Sequence, residues 1–252
     1  MSFIISMVNG KGGVGKTASS ANLATGLALN GKKSLLIDLD KQGNATKHFK
    51  AYNPEKPSIV DIIFNEADPI NVIQNTEIEN LDIIPSTYEL EGANTKIVMD
   101  IDQSREYRLA KLQQLDYDYI IIDCPPDLEI LTVNALAVSN YVLVPMKAEM
   151  WSLEGLDKIT QKINMVRDRF NSKLKLMGIF ITMDDNSAVD KDVKVQLAMA
   201  FKEKFFKTSI RYSKLFSRST FNFKPIILSN PKASVSVDYF DLVKEVIKNA
   251  KK

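Results

Sequence analysis

Short runs of apolar, often β-branched residues alternate along the chain with longer stretches in which apolar residues recur every three or four positions. Within the short runs almost every position is apolar, so neither face of the predicted strand is polar. This is typical of parallel strands that helices cover on both faces of a sheet. The runs predict strands at Phe3–Val8, Ser34–Asp38, Leu81–Pro85, Tyr119–Asp123, Tyr141–Pro145 and Leu176–Thr182.

The longer stretches have the spacing of amphipathic helices and lie between or after these strands. They predict helices at Lys16–Asn30, Tyr88–Met99, Arg105–Leu115, Ile130–Val138, Leu153–Phe170, Val189–Lys204 and Val237–Ala250. This alternation predicts an α/β fold with a doubly wound, mainly parallel sheet flanked by helices. No repeat or linker interrupts it, so residues 1–252 are predicted to form a single domain. Ligands of such folds bind at the carboxyl ends of the strands.

The composition excludes several classes of function. The chain has 252 residues, of which 45% are hydrophobic and 25% charged, as in an ordinary globular protein. Its one cysteine, Cys124, forms no internal disulfide and is predicted to be a small packed residue. Its one histidine, His48, lies in a polar segment and is predicted to be exposed. There is no signal peptide and no apolar run of about 20 residues, which predicts a cytoplasmic protein without a membrane span.

Positive charge is concentrated near the carboxyl end of the sequence. The formal net charge is +2, but residues 191–252 carry +9, so residues 1–190 carry −7. A basic block on an acidic domain indicates a surface that binds a polyanion, although a solvated helix surface has the same composition. The predicted pool of contacts is Lys191, Lys194, Lys202, Lys204, Lys207, Arg211, Lys214, Arg218, Lys224 and Lys232.

Residues 10–17 match the phosphate-binding pattern G-x-x-x-x-G-K-[ST] between a predicted strand and a predicted helix. Glycines let backbone N–H groups turn towards phosphate oxygens, and the helix N-terminus adds a favourable dipole. Lys16 is predicted to neutralise the β- and γ-phosphates, and Thr17 to ligate Mg²⁺. The predicted ATP-binding residues are Gly10, Lys11, Gly12, Gly13, Val14, Gly15, Lys16, Thr17 and Ala18.

Acidic residues follow two of the predicted strands. The segment YDYIIIDCPPD ends a strand at Asp123, and LLIDLD brings Asp38 and Asp40 to the same edge. Carboxylates beside a phosphate loop are typical of a site for Mg²⁺ and water. The predicted metal site therefore combines Thr17, Asp38 and Asp123.

Three segments together resemble the ParA/MinD group of ATPases with a deviant phosphate loop (deviant Walker A). They are KGGVGKT, LLIDLDKQGNAT and DYIIIDCPPDLEILTVNAL, and the QGNAT and NAL parts are similar to the Soj-like ParA branch. The similarity continues through VLVPMKAEMWSLEGL, GIFITMDD and KPIILSNPKAS, so it covers essentially the whole chain.

The resemblance implies a role for the second lysine of the loop. Lys11 matches the family's signature lysine, which reaches across an ATP-closed homodimer to the phosphates bound by the partner. Gly12 would lie where the two loops nearly touch. Asp40 matches the residue that orients the attacking water, and Asp38 the acid that supports the metal and the loop. Lys11, Lys16 and Asp40 are thus the predicted catalytic residues, with slow intrinsic turnover because no strong base is present.

The resemblance also implies partners and a location. ParA-like ATPases bind DNA without sequence preference in the ATP-bound dimer, and a ParB-like centromere-binding protein triggers hydrolysis. This implies a nucleoid-associated protein that partitions a plasmid or a chromosome. Only nine residues precede Gly10, which predicts that there is no amino-terminal helix-turn-helix domain.

The sequence departs from the family pattern at several positions. Lys41 stands in place of a proline, Asp127 in place of a serine, and Ala18 in place of a threonine. The segment 210–219, which in the family helps to hold adenine, has lost its proline. Residues 182–184 are a second candidate for contact with the base.

Two alternative functions stay open at the level of sequence. One is a membrane-positioning ATPase like MinD, which would use the last helix on a bilayer; that helix fits better as part of the domain's own packing. The other is a nucleotide-dependent interaction protein with little hydrolysis, to which the changes at Lys41 and Asp127 point.

Overall fold

The computed structural model describes residues 2–149, 152–216, 219 and 222–251. Within these residues the strands form one sheet in the order β3-β4-β2-β5-β1-β6-β7-β8, in which only β3 runs antiparallel to its neighbour. The strands are β1 (Phe3–Met7), β2 (Ser34–Asp38), β3 (Gln74–Asn75), β4 (Leu81–Ile84), β5 (Tyr119–Asp123), β6 (Tyr141–Met146), β7 (Lys175–Asp184) and β8 (Ile210–Arg211). The predicted doubly wound, mainly parallel fold is confirmed.

Helices cover both faces of this sheet. The helices are α1 (Lys16–Leu29), α2 (Asn44–His48), α3 (Ile59–Phe64), α4 (Ala93–Met99), α5 (Ile130–Val138), α6 (Ser152–Arg169), α7 (Ala188–Phe201), α8 (Ile226–Ser229) and α9 (Ser234–Ala250). Short 3₁₀ turns lie at Pro69–Asn71, Tyr88–Leu90, Ala110–Gln114 and Lys202–Lys204. One core holds residues of α1, α8 and α9, and a second core holds residues of α3 to α7.

The central strands explain why the sequence reads as uninterrupted apolar runs. Along β5, Ile120 and Ile122 belong to one core, whereas Tyr119 and Ile121 belong to the other. Both faces are dry, so both sets of alternating positions must be apolar.

The last helix packs within the domain, as predicted. Helix α9 buries Leu242 and Val243 against α1 and α8. A Cβ added at Gly26 of α1 would stand 2.6 Å from Val243 Cγ2, so the two helices approach as closely as glycine allows. None of the helices in the described ranges combines the length and apolar character needed to cross a membrane.

Three predicted helices differ from the structure for local reasons. The helix predicted at residues 88–99 is divided at Gly92, which has a φ of 73°. The one predicted at 105–115 is only the 3₁₀ turn 110–114, because Asn134 of α5 takes backbone groups that a helix would use: it accepts from Arg108 N and donates to Arg105 O. The one predicted at 189–204 ends as an α-helix at Phe201, since Lys202 has a φ of 47°.

The sequence pattern does not predict several short elements at the edges of the fold. The two-residue strands β3 and β8 and the short helices α2, α3 and α8 are not predicted. Elements of two to six residues span too little chain for a period of 2 or 3.6 to be visible. The fold nevertheless brings the carboxyl ends of β1, β2, β5, β6 and β7 to one edge of the sheet, where the predicted site lies.

Candidate functional site

The segment between β1 and α1 forms a loop whose backbone opens towards solvent. Gly13 and Gly15 have φ angles of 70° and 80°, a region that other residues rarely adopt. Gly15 immediately precedes α1, and no described side chain caps the first turn of that helix. The first N–H groups of α1 therefore lie at the loop without a side-chain acceptor, which is the arrangement that binds phosphate.

Neighbouring strands hold this loop at both of its ends. The Asn9 side chain donates from Nδ2 to the Pro145 carbonyl (2.8 Å), and its Oδ1 accepts from the Lys11 N–H (2.9 Å). At the other end, the Thr182 hydroxyl donates to the Val14 carbonyl (2.8 Å). Asn9 is not among the predicted site residues, and Thr182 is predicted only as a contact for the base.

The two lysines of the loop occupy different environments. Lys16 is buried, and its Nζ donates to the Lys11 carbonyl at 3.0 Å. Burial lowers the pKa of Lys16, while nearby Asp123 acts in the opposite direction. The Lys11 side chain is 60% exposed and forms an ion pair with Glu149. Lys16 thus belongs to the loop of its own chain, whereas Lys11 is directed outward.

Asp123, at the end of β5, has one oxygen ready to receive a ligand. Its Oδ1 accepts from the Ser20 hydroxyl at 2.9 Å, whereas its Oδ2 is buried without a partner among the described residues. Burial raises the pKa of Asp123 to about 7, and the hydroxyls of Thr17 and Ser20 act in the opposite direction. A buried carboxylate oxygen beside a threonine hydroxyl fits Mg²⁺, which prefers oxygen ligands.

The described side chains do not build a metal cage by themselves. No group of three His, Cys, Asp or Glu residues is close enough to hold a metal in the described part of the chain. Mg²⁺ in such sites is usually held by one or two protein oxygens together with phosphate oxygens and water. The arrangement of Thr17 and Asp123 fits that pattern.

Both oxygens of Asp38 accept hydrogen bonds within the protein, and its role as a metal ligand stays a prediction. Oδ2 accepts from the N–H and the hydroxyl of Thr46 (2.8 and 2.7 Å), and Oδ1 accepts from the Asp40 N–H (3.2 Å). Burial raises the pKa of Asp38 to about 6 against the hydrogen bonds from Thr46. Asp38 therefore anchors the loop of residues 39–46. Thr46 lies in the QGNAT segment, but its bond to Asp38 is not visible in the sequence pattern.

Asp40 lies on this anchored loop at the rim of the site. It is partly exposed, and its Oδ1 accepts from the Gln42 N–H at 3.0 Å. The Ser86 hydroxyl donates to the Asp40 carbonyl at 2.7 Å, which ties the loop to the end of β4. Lys41, which stands in place of the family's proline, pairs with Glu91 at 2.6 Å. This surface ion pair connects the loop to the turn at 88–92.

The acidic change at Asp127 has a local explanation. Its Oδ1 accepts from the Glu129 N–H at 2.9 Å, and its carbonyl accepts from the Thr132 hydroxyl at 3.0 Å. Asp127 therefore stabilises the turn that leads into α5, as Asp side chains often do in turns.

A cavity of about 300 Å³ adjoins the phosphate loop on the side of β7. Its walls include Gly15 and Ala18 from the loop and α1, Met183 from the end of β7, and Tyr212 and Phe216 from the segment after β8. The two segments that the sequence offered as alternatives for holding a base thus meet in one cavity. Its apolar walls and its position next to the loop suit a planar base.

The structure divides the predicted basic residues into two groups. Lys194 forms an ion pair with Asp184, and Arg211 forms a bidentate pair with Asp238 at 2.7 Å for each bond. The first pair joins α7 to the end of β7 and the second joins β8 to α9, and the role of Lys194 and Arg211 in binding DNA stays a prediction. Arg218 lies outside the described residues. The others are exposed: Lys191, Lys202, Lys204, Lys207, Lys214, Lys224 and Lys232.

The structure agrees with the prediction for Cys124 but not with the one for His48. Cys124 is buried, as predicted, and burial raises the pKa of its thiol. The prediction that His48 is exposed is wrong. The imidazole is largely buried beside Phe49, its Nε2 has no partner among the described residues, and burial lowers its pKa to about 4.

Burial of His48 predicts a loss of stability in mild acid. The unfolded chain takes up a proton near pH 6.5, whereas the folded chain resists protonation down to about pH 4. The contribution of His48 is therefore complete above pH 6.5 and is lost as the pH falls towards 4. Between pH 8 and pH 5 we expect the free energy of unfolding to fall by about 2 kcal/mol from this residue.

Urea unfolding of the wild type and of His48→Gln at both pH values isolates this contribution from that of the carboxyl groups. The wild type should lose about 2 kcal/mol more than the variant. Equal losses in the two proteins would show that His48 is protonated as easily in the folded state as in the unfolded state.

The fold and the site define the class of protein. A phosphate loop after a central parallel strand, with a buried carboxylate at the end of the adjacent strand, is the arrangement of P-loop nucleoside triphosphate-binding proteins. A sequence family described as "AAA domain" matches residues 2–176.

The chain belongs to the ParA/Soj family of partitioning ATPases. It is 40% identical to the sporulation initiation inhibitor protein Soj of Bacillus subtilis over 99% of this chain and 100% of that protein. It is 37% identical to the chromosome partitioning protein ParA of Myxococcus xanthus over 97% of this chain and 88% of that protein. The predicted resemblance to Soj-like ParA proteins is confirmed.

Solved structures share the fold over nearly the whole chain. A plasmid partition protein from Borrelia burgdorferi B31, bound to AMPPNP, has a TM-score of 0.77 and 29% identity, and the match covers 99% of this chain and 98% of that one. Cobyrinic acid a,c-diamide synthase from Mycobacterium smegmatis, with a bound ATP analogue and magnesium, has a TM-score of 0.84 and 27% identity, covering 100% and 97%.

Proposed function

We propose that this protein is a Mg²⁺- and ATP-dependent dimerising ATPase that binds DNA without sequence preference and partitions a plasmid or a chromosome together with a ParB-like partner. The observation that carries the proposal is the pair of lysines in the phosphate loop. Lys16 is buried within the loop, and Lys11 is exposed and directed outward. The Soj and ParA relatives support the partitioning role.

Residues 10–18 bind the triphosphate, and the apolar cavity beside Gly15 takes the adenine. Mg²⁺ is held by the Thr17 hydroxyl and by Asp123, whose unpartnered Oδ2 faces the site from the end of β5. The metal neutralises charge that develops on the phosphate oxygens. ATP and Mg²⁺ are also the ligands named for the Mycobacterium structure, there as an ATP analogue.

Lys11 completes the site of a second copy of the chain. The partner's lysine gains a favourable charge interaction across the dimer only when a γ-phosphate is bound. Dimerisation therefore depends on ATP. Gly12 supports this arrangement. A Cβ added there would have no atom within 4 Å, and its φ lies outside the region that favours glycine. Nothing in the described chain itself requires glycine at this position, whereas close approach of a second loop does.

Hydrolysis proceeds by in-line attack of water on the γ-phosphate. Asp40 orients the water from the loop that Asp38, Thr46 and Ser86 hold in place. Lys16 and the Lys11 of the second copy stabilise the transition state. Because Asp40 is a weak base, intrinsic turnover is slow and a ParB-like partner accelerates it.

DNA is bound by exposed lysines of the carboxyl-terminal third, through contacts to phosphates that carry no sequence information. Retention on DNA places the protein on the nucleoid.

The domain organisation, a single domain without an amino-terminal helix-turn-helix, stays a prediction.

The alternative functions have less support. The relatives described above are partition proteins, and the last helix is packed against α1 and α8 instead of being free for a bilayer. The anchored loop around Asp40 favours an ATPase over an interaction protein with little hydrolysis, because it holds a carboxylate that can orient water at the site.

DNA retention tests the proposal. We expect random-sequence duplex DNA to be retained with ATP but not with ADP or without nucleotide, and retention to weaken between 50 and 200 mM salt. Changing Lys202, Lys204 and Lys207 to alanine should reduce the slope of log affinity against log salt by about 3, because each phosphate contact contributes about 0.9. These three lysines are exposed, and no carboxylate of the described residues pairs with them.

The matched control changes Lys32, Lys33 and Lys173 to alanine. These lysines precede β2 and β7, outside the segment that follows α7, and the change in charge is the same. Binding that does not depend on ATP, or an equal loss in both triple variants, would contradict the proposed DNA surface.

A further inference from the structure

We propose that Thr182 is a positioning residue for the phosphate loop and acts through the Val14 carbonyl; this inference rests on the proposed ATP site. Thr182 lies near the end of β7 and is 168 positions away from Val14 in the sequence. Both residues are buried, and their hydrogen bond is 2.8 Å long.

The geometry of the peptide group explains how this bond acts. In a planar trans peptide the C=O and the following N–H point in opposite directions. With the Val14 carbonyl held against β7, the Gly15 N–H of the same peptide is directed away from β7 and towards the concave side of the loop. The Thr182 hydroxyl therefore fixes the direction of one of the N–H groups that bind phosphate.

Without this hydroxyl the Val14 carbonyl would be buried and unpaired, and the peptide would gain by turning towards water. Gly15, at a φ of 80°, offers little resistance to such a rotation because glycine has no Cβ. The Thr182 side chain lies directly beside Gly15, since its Cβ and Cγ2 are 3.6 Å from the position that a Cβ of Gly15 would take.

Thr182 also joins the two halves of the nucleotide site. The next residue, Met183, has a φ of 54° and lines the cavity proposed for the base. The same short segment of β7 thus contacts the phosphate loop through one residue and forms the base cavity with the next.

The test compares affinity for ATP with affinity for inorganic pyrophosphate, which has no base, by isothermal titration calorimetry with Mg²⁺. Thr182→Val removes the hydroxyl and keeps the shape. We expect it to weaken the binding of both ligands about tenfold, as loss of a buried hydrogen-bonding partner does. Thr182→Ser keeps the hydroxyl and should stay within about twofold of wild type for both ligands.

Thr25→Val is the matched control. Thr25 is a buried threonine of α1 whose hydroxyl has no partner among the described residues, so its loss should leave both affinities unchanged. Should Thr182→Val fail to fold, as judged by thermal unfolding, Thr182→Ala against Thr182→Ser gives a second pair that differs only in the hydroxyl.

Two results would overturn the inference, and a third would contradict the proposed function. Thr182→Val with wild-type affinity for pyrophosphate but weak ATP binding would place the residue in the base cavity alone. Equal losses in Thr182→Ser and Thr182→Ala would show that the methyl group matters and the hydroxyl does not. Wild-type protein that binds neither ligand would instead contradict the proposed function itself, and is thereby distinguished from a failure at Thr182.

Discussion

Lys11→Ala is expected to abolish ATP-dependent dimerisation and DNA retention while leaving ATP binding by the single chain within about threefold of wild type. The phosphate loop does not need this side chain. It is 60% exposed, paired with Glu149, and separate from the buried Lys16 that the loop encloses. What the variant loses is the positive charge offered to a second copy.

Light scattering and DNA retention with ATP measure this effect, and titration of the monomer with ATP measures the part that should survive. Lys173→Ala removes the same charge from the opposite edge of the sheet, before β7, and should behave like wild type. A Lys11→Ala protein that still dimerises with ATP would contradict a role in trans. A protein that no longer binds ATP as a monomer would place Lys11 in the site of its own chain.

Asp40→Ala is expected to lower kcat for ATP hydrolysis by about 100-fold or more and to preserve ATP binding, because the residue acts on the attacking water and does not hold the phosphates. Asp40 makes its side-chain contact to the Gln42 N–H of its own loop, and that loop keeps its anchors at Asp38 and Ser86. The variant should therefore accumulate as an ATP-bound dimer that remains on DNA.

Release of phosphate in a single turnover measures the rate, and DNA retention over time measures the trapped state. Asp116→Ala, an exposed carboxylate removed at the far edge of the sheet before β5, serves as the control and should hydrolyse ATP normally. An unchanged rate of ATP hydrolysis in Asp40→Ala would show that another group orients the attacking water. Loss of ATP binding would show that Asp40 matters for the shape of the loop and not for the reaction.

The two predictions depend on different parts of the structure. Lys11 was singled out by its place in a local motif, and the structure added that it faces outward. Asp40 was singled out by resemblance, and the structure added the anchors that hold its loop. Lys41, at the position of the family's proline, forms a surface ion pair with Glu91.

The sequence by itself determined the phosphate loop, the central strands and the class of protein. Each of these features depends on residues that are adjacent in the sequence. Glycine is required where φ is positive, as at Gly13 and Gly15, and apolar residues are required where a strand is covered on both faces. Such requirements act within a few residues of one another, so a single segment reveals them without any knowledge of the rest of the chain.

Only the tertiary structure decided which polar groups are partners. The bonds from Thr46 to Asp38, from Thr182 to Val14 and from Arg211 to Asp238 join segments that are separate in the sequence. The strand order brings them together, because the carboxyl ends of parallel strands meet at one edge whatever their distance along the chain. A buried polar group must find a partner there. Which partner it finds depends on the packing of the whole sheet, and so neither the ion pair of Arg211 nor the partial burial of His48 is visible in the sequence.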